Sequence, residues 1–335
     1  MKRFLSLLLS VLMLVSLSTL AGCSGKEALK FGMGVHAYVT KATNADADTN
    51  GEGAAALTVA AVLLDSDGKI VKCAFDTMEN KVAFTSKGKY VKANEFKTKY
   101  ELNDDYGMKA YGGATKEWYE QADAFAATVV GKTSDEVNAL VADGGKGNAD
   151  VVNAGCTIII SDFVKAIVKA IENAKDVDAS SDDTLKVAVI SSQIGAKDAT
   201  DEADGLNEVD STLCATLLDK DNKVVAIATD AAQAKFPFNK KGETTVTADT
   251  EITTKLTAGA NYGMAKYGQD LNGDGVVKEW NEQAEAFNNA CVGKNADEIS
   301  KLAVETGYAV EDLQTAGCTM NIYDIVKTAV KAASK

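Results

Sequence analysis

The short segment Ala-Gly-Cys-Thr occurs twice in the sequence, at 154–157 and again at 316–319. In each copy the glycine lets another molecule approach the backbone closely, and the threonine two residues later offers a hydroxyl group. The pattern suits a site that binds or attaches a ligand. The alternative is a buried turn that holds no cofactor. The candidate residues are Asp150, Gly155, Cys156 and Thr157, and in the second copy Asp312, Gly317, Cys318 and Thr319.

A second group of candidate ligands occurs only once, between positions 270 and 281. Oxygen-bearing side chains at the first, third and fifth positions, glycine at the sixth and a free carbonyl at the seventh resemble a calcium loop of the EF-hand or dockerin type. The twelfth position is Asn281 instead of the usual glutamate, so we expect weak, structural calcium binding. The alternative is a polar surface turn. The candidate ligands are Asp270, Asn272, Asp274 and Val276.

The remaining reactive side chains match no pattern of a known hydrolase. The sequence contains neither Gly-x-Ser-x-Gly nor His-Glu-x-x-His, and its single histidine, His36, cannot supply an imidazole to both halves of the chain. The cysteines after position 23 show no Cys-x-x-Cys spacing, so we expect most of them to be small buried side chains. The net charge of −13 repels phosphate backbones and argues against nucleic acid as a partner.

The beginning of the chain has the three-part layout of an export signal. Two basic residues precede an apolar stretch from Phe4 to Leu17, which is followed by Leu-Ala-Gly-Cys at 20–23. This tetrapeptide resembles the bacterial lipobox. The resemblance implies cleavage after residue 22, a lipid on Cys23, and a polar tether at 23–28 that holds the exported protein at the outer face of the cell membrane.

The second half of the chain repeats the first, which predicts two copies of one domain. We expect the copies at 29–174 and 185–335, joined by an acidic linker at 175–184. The matching pairs are Leu29-Lys30 with Leu185-Lys186, the run at 62–71 with the run at 216–225, Tyr-Gly-Met at 106–108 with 262–264, and Lys-Glu-Trp-x-Glu-Gln-Ala at 116–122 with 278–284.

Within each copy, patterns typical of strands come first and patterns typical of helices come last. The runs at 62–71 and 216–225 are each split by Asp-Gly or Asp-Asn, which predicts β-hairpins. The segment from Lys116 repeats its apolar residues at helical spacing, and Thr133-Ser-Asp-Glu136 is a capping box that begins another helix. The sequence therefore predicts an α+β fold in which each copy is a small antiparallel sheet followed by helices.

Taken together, these motifs resemble the FMN-binding domain family, which carries an Asp-x-x-Ser-Gly-Ala-Thr type motif. The whole pattern is similar to tandem-domain, cell-surface flavoprotein lipoproteins of Gram-positive bacteria. In the FMN-binding family a separate transferase joins FMN through its phosphate to the threonine hydroxyl. The resemblance therefore implies Thr157 and Thr319 as flavin acceptors and Asp150 and Asp312 as acids of the motif.

Two further residue pairs are candidates to lie against a flavin ring, namely Tyr106 with Met108 and Tyr262 with Met264. A packed turn explains them equally well. The leading functional prediction is a lipid-anchored electron carrier, which takes electrons from a membrane donor, passes them to an external acceptor and turns over no substrate. The alternative is a cofactor-free extracellular module with a binding or structural role.

Overall fold

The computed structural model describes residues 28–267, 270 and 275–334. In this part of the chain, eight strands form two antiparallel sheets, and helices follow each sheet in sequence. The predicted α+β fold is confirmed. The predicted signal peptide and the predicted lipid site Cys23 lie outside the described residues.

The first sheet has five strands in the order β4-β3-β2-β1-β5, and the second has three in the order β6-β7-β8. The strands are β1 (Leu29–Thr43), β2 (Gly51–Leu64), β3 (Ile70–Phe84), β4 (Tyr90–Val91), β5 (Lys175–Val177), β6 (Thr184–Lys197), β7 (Gly205–Leu218) and β8 (Val224–Phe238).

The helices of the first copy are α1 (Lys99–Leu102), α2 (Met108–Gly112), α3 (Trp118–Val129), α4 (Ser134–Asn138), α5 (Ala149–Ala154) and α6 (Ser161–Glu172). Those of the second copy are α7 (Lys255–Ala258), α8 (Met264–Tyr267), α9 (Trp280–Cys291), α10 (Ala296–Ile299), α11 (Glu311–Thr315) and α12 (Tyr323–Ser334). Short 3-10 helices lie at Asn103–Tyr106, Asp143–Gly145, Gly259–Tyr262 and Ser300–Leu302.

The central strands are apolar on both faces because each sheet is covered on both sides. In β2, Leu57, Val59 and Leu63 join a core between the two sheets, while Val62 and Leu64 join a core beneath α3 and α6. This alternation follows the two-residue period of a strand. The chain is therefore built in four layers, with helices outside and two sheets between them.

The two copies pack face to face with reciprocal contacts. The backbone N–H of Ala45 donates to the carbonyl of Gly242 at 2.7 Å, and the N–H of Ala199 donates to the carbonyl of Gly88 at 2.8 Å. The rings of Phe84 and Phe238, one from each copy, stack with their centroids 4.6 Å apart. These paired contacts relate the copies by an approximate twofold axis.

The predicted linker is partly structured. Its first residues form β5, which pairs with β1 through Leu29 opposite Val177, and β6 begins at Thr184. The two predicted domains also share the core between the sheets. Among the described residues, none of the helices combines the length and apolar character needed to span a bilayer.

Candidate functional site

Each Ala-Gly-Cys-Thr segment turns the chain at the end of a short helix. Gly155 follows α5 with φ 101°, and Gly317 follows the equivalent helix α11 with φ 98°. Residues other than glycine rarely adopt these φ values, so glycine is required at both turns. The backbone N–H groups of Cys156 and Cys318 then donate back into these helices, at 3.1 and 3.0 Å, and fix the turns.

In the first copy, Gln121 on helix α3 holds the threonine. Its side-chain oxygen accepts hydrogen bonds from the Thr157 backbone N–H at 2.8 Å and from the Thr157 hydroxyl at 2.9 Å. Its amide nitrogen donates to the carbonyl of Lys116 at 3.1 Å. Gln121 is 2% exposed, whereas Thr157 is an exposed residue. Gln121 therefore holds the hydroxyl of an exposed residue in a fixed place.

In the second copy, Gln283 on α9 holds the equivalent segment more tightly. Its oxygen accepts from the Thr319 N–H at 2.9 Å, the Thr319 hydroxyl at 3.4 Å and the Met320 N–H at 2.7 Å. Thr319 and Met320 are each only 8% exposed. The repeated threonine is thus buried in this copy, and the two candidate acceptor hydroxyls differ in their access to solvent.

A lysine side chain covers the glycine of each segment. A Cβ atom placed on Gly155 would collide with Nζ of Lys116, and one on Gly317 would collide with Nζ of Lys278. The absence of a side chain on each glycine therefore leaves room for the ammonium group. In the first copy this places a positive charge next to the segment that carries the exposed Thr157 hydroxyl. A cation over the same segment as an acceptor hydroxyl suits an anionic group such as phosphate.

Of the residues predicted to lie against a flavin ring, the two methionines contact the buried glutamines and the two tyrosines lie beneath lysines. Their contact with a flavin ring stays a prediction. Met108 N donates to the buried carboxylate of Glu117 at 2.8 Å, and its sulfur lies 3.9 Å from the amide nitrogen of Gln121. Lys99 lies over the Tyr106 ring at 5.0 Å. In the second copy the Met264 sulfur lies 3.4 Å from the Gln283 nitrogen, and Lys255 lies over Tyr262 at 4.9 Å.

Both cysteines of the segments lie in the core. Cys156 and Cys318 are fully buried, and burial raises the pKa of the Cys156 thiol and raises that of Cys318 to about 12. The prediction that most cysteines are buried is confirmed: Cys214 and Cys291 are also buried and Cys73 is partly exposed, all as free thiols. Neither segment cysteine offers its sulfur to a ligand at the surface.

The motif acids are not brought to the threonines. Asp150 and Asp312 are exposed in the first turns of α5 and α11, while the threonines follow the opposite ends of these helices. The structure therefore assigns the direct contacts to glutamine and lysine, which sequence reasoning did not single out as site residues. The signal was present, because Gln121 and Gln283 are polar residues in the repeated motif on the buried side of an apolar helix.

The calcium-like loop is described only in part. Asp270 Oδ2 accepts a hydrogen bond from Gly275 N at 2.9 Å, and Val276 is 58% exposed. Asn272 and Asp274 lie outside the described residues. No group of three or more acidic, histidine or cysteine side chains suited to a metal ion occurs in the described part. Calcium binding stays a prediction.

Comparison with known proteins gives one partial match. A protein of Desulfitobacterium hafniense described as a chlorophenol reductase is 39% identical to the chain over 94 residues. The match covers 24% of this chain and 29% of that protein, so the chain spans less than a third of the relative's length. No protein-family model matches the chain, and no solved structure matches it.

Proposed function

We propose that the protein is a lipid-anchored extracellular electron carrier that holds FMN covalently on the hydroxyl of Thr157. The observation that carries the proposal is the placement of this hydroxyl: Thr157 is an exposed residue, its hydroxyl is bonded to the buried Gln121, and the Lys116 ammonium group covers Gly155, two residues before it. The anchor is the lipid predicted on Cys23.

The side chains of the first copy fit a phosphate ester. Lys116, which covers Gly155 two residues before Thr157, supplies a positive charge for a phosphate on Thr157. Gln121 accepts a hydrogen bond from the free hydroxyl, which holds the Thr157 side chain in place before the bond to phosphate forms. These residues position the attachment point, and a separate transferase forms the bond.

The second copy fits the same group less well. Thr319 is 8% exposed, and its hydroxyl is 3.4 Å from Gln283, compared with 2.9 Å in the first copy. A transferase must reach the hydroxyl oxygen, so burial opposes modification at this position. We therefore propose that Thr157 is the main acceptor and that Thr319 keeps the turn by packing.

When bound, the isoalloxazine ring supplies the redox chemistry and the protein supplies attachment and orientation. A covalent link suits a protein outside the cell, because it prevents loss of the cofactor to the medium. The partial relative is described as a reductase, a redox activity that agrees with an electron carrier and specifies no cofactor. The expected partners are an FMN transferase, a membrane electron donor and an external acceptor.

The test is the intact mass of the exported chain, measured under denaturing conditions after co-expression with an FMN transferase. We expect one FMN increment in the wild type, loss of that increment in Thr157→Ala, and its retention in Thr319→Ala. Thr157→Ser is the matched control because it keeps a hydroxyl at the same position. The double Thr157→Ala, Thr319→Ala variant should be colourless.

An unshifted mass in the wild type, with colourless protein, would exclude covalent flavinylation and favour the cofactor-free binding module. An increment that survives in Thr157→Ala but disappears in Thr319→Ala would reverse the assignment of the acceptor. Lys116→Gln tests the contribution of the lysine charge. At equal transferase levels, we expect a smaller fraction of this variant to carry FMN than of the wild type.

A further inference from the structure

The outer edge of β1 is covered by a segment of the other copy. Val39 N donates to the carbonyl of Thr250 at 2.9 Å, Asp249 N donates to the carbonyl of Val39 at 2.8 Å, and Ile252 N donates to the carbonyl of Ala37 at 2.9 Å. Tyr38 lies opposite Glu251 in an antiparallel bridge. The segment at 249–252 thus acts as an added strand on this edge.

The equivalent edge in the second sheet is β6, and it lacks such a strand. Strand pairing places Lys30 opposite Leu64 and Thr184 opposite Leu218, so Ser191 and Gln193 occupy the positions of Ala37 and Val39. In the described structure, no backbone hydrogen bond joins the outer side of Ser191 or Gln193 to another segment.

The chain segment that could cover β6 is too short to repeat the arrangement. Only 13 residues separate Phe84 from Thr98, whereas 15 separate the equivalent Phe238 and Thr254. The shorter segment is joined to β6 by the side chain of Gln193 instead, which accepts from Ala93 N at 2.8 Å and donates to the carbonyl of Val91 at 3.0 Å. The backbone of β6 at Ser191 and Gln193 therefore remains available for pairing with another strand.

A cleft of about 820 Å³ runs along this edge between the 92–97 segment, β6 and α12. Its charged lining is mainly basic although the whole chain carries a net charge of −13. Four lysines face two glutamates, namely Lys92, Lys97, Lys327 and Lys331 against Glu95 and Glu101. The charge of the cleft therefore favours an acidic occupant.

The covered edge shows which chemistry fits. The added segment there reads Thr-Ala-Asp-Thr-Glu-Ile at 247–252, and Glu251 pairs with Lys169 of α6 at 3.2 Å. Lys331 holds the position in α12 that Lys169 holds in α6, and its Nζ lies 2.8 Å from the carbonyl of Val189 on β6. Lys331 also pairs with Glu101 at 2.6 Å, so an acidic side chain on an added strand would share this lysine with Glu101.

We propose that the β6 edge at Ser191 and Gln193 binds an extended acidic segment of a partner protein as an additional antiparallel strand. Backbone hydrogen bonds to the edge supply affinity, and the lysines of the cleft select acidic side chains. This proposal does not depend on flavin, because the β6 edge and the Thr157 site use different residues.

The probe is a fluorescein-labelled peptide, Val-Thr-Ala-Asp-Thr-Glu-Ile-Thr, which copies residues 246–253. Fluorescence anisotropy with the whole mature chain should show saturable binding that weakens as salt increases. A control peptide is N-methylated at the aspartate and the isoleucine. It keeps the charge but loses the two backbone N–H donors, so it should bind at least tenfold more weakly. Lys92→Glu together with Lys327→Glu should also reduce the affinity at least tenfold.

Hydrogen exchange locates the contact. The amides of Ser191 and Gln193 should gain protection when the peptide binds, while the amide of Val39, which is already bonded, should not change. Equal binding of the N-methylated peptide, or no binding at millimolar concentration, would overturn the proposal. Protection of Ser191 and Gln193 that rises with protein concentration in the absence of peptide would assign the edge to a second copy of the chain and would also overturn it.

Discussion

The two buried glutamines make equivalent contacts in different surroundings, so removing each should have a different cost. We consider Gln283→Leu and Gln121→Leu, which keep similar volume and remove the amide. In the second copy, Gln283 satisfies the backbone N–H groups of Thr319 and Met320 inside the core. In the first copy, Gln121 satisfies one backbone N–H, that of the exposed Thr157.

The magnitudes follow from the number of buried donors left without a partner. An unsatisfied buried polar group costs about 1–3 kcal/mol, so two such groups should lower the free energy of unfolding of Gln283→Leu by about 3 kcal/mol or more. Thr157 is an exposed residue, so water can replace the lost partner of its N–H. Gln121→Leu should therefore lower the free energy of unfolding by about 1 kcal/mol. The expected difference between the two variants is about 2 kcal/mol.

Urea unfolding measures this difference directly. Trp118 and Trp280 are both 3% exposed, one at the start of each helix that carries a glutamine, so tryptophan fluorescence reports on both copies. Gln283→Glu and Gln121→Glu keep the accepting oxygen but lose the donor and place a carboxylate in the core, so these two variants are compared with each other and not with the leucine variants. Equal losses for the two leucine variants, or a smaller loss for Gln283→Leu, would refute the argument from burial.

Two other perturbations test the core. Burial raises the pKa of the Asp230 carboxyl to about 6 from an ordinary value near 3.8, so the folded chain holds this proton more tightly than the unfolded chain. The free energy of unfolding should therefore decrease by up to about 3 kcal/mol as the pH rises from about 4 to above 6, and Asp230→Asn should lack this decrease in urea titrations. Phe84→Ala removes the ring stacked on Phe238 and should cost about 3–5 kcal/mol in one cooperative transition, whereas separate transitions at the two tryptophans would contradict a shared core.

The sequence predicts the local elements well because their signals are local. The hairpin at 62–71 is present as β2 and β3, with a turn fixed by hydrogen bonds from Asp67 N and Lys69 N to the Asp65 carboxylate. The predicted capping box of Thr133 and Glu136 is also present and begins α4. These features depend on residues that are neighbours in the chain, so the sequence is enough to predict them.

The packing of the copies could not be predicted in the same way. Apolar residues on both faces of β2 are compatible with any fully covered sheet, and nothing local indicates that the second sheet is the cover. The alignment of Leu29-Lys30 with Leu185-Lys186 is two residues out of register with the strand pairing, which makes Lys30 equivalent to Thr184. Short matches at strand ends do not fix a register that depends on pairing partners.

The candidate site was predicted in part. The turn glycines follow from the Ala-Gly-Cys-Thr pattern, and the structure gives both of them positive φ values. The roles of Gln121 and Gln283 depend on contacts across 36 residues of chain, which no local pattern contains. The burial of Thr319 in one copy alone also comes from tertiary packing.

The face-to-face packing of the two copies has a consequence for how the protein behaves on dilution. Two separate subunits with this arrangement would part at low concentration, because their association depends on the amount of protein present. Joining them in one chain makes the association intramolecular, so it persists in a single molecule at any dilution. It also lets the sequences of the two copies diverge, because a substitution in one copy does not occur in the other, as it would in a dimer of identical subunits.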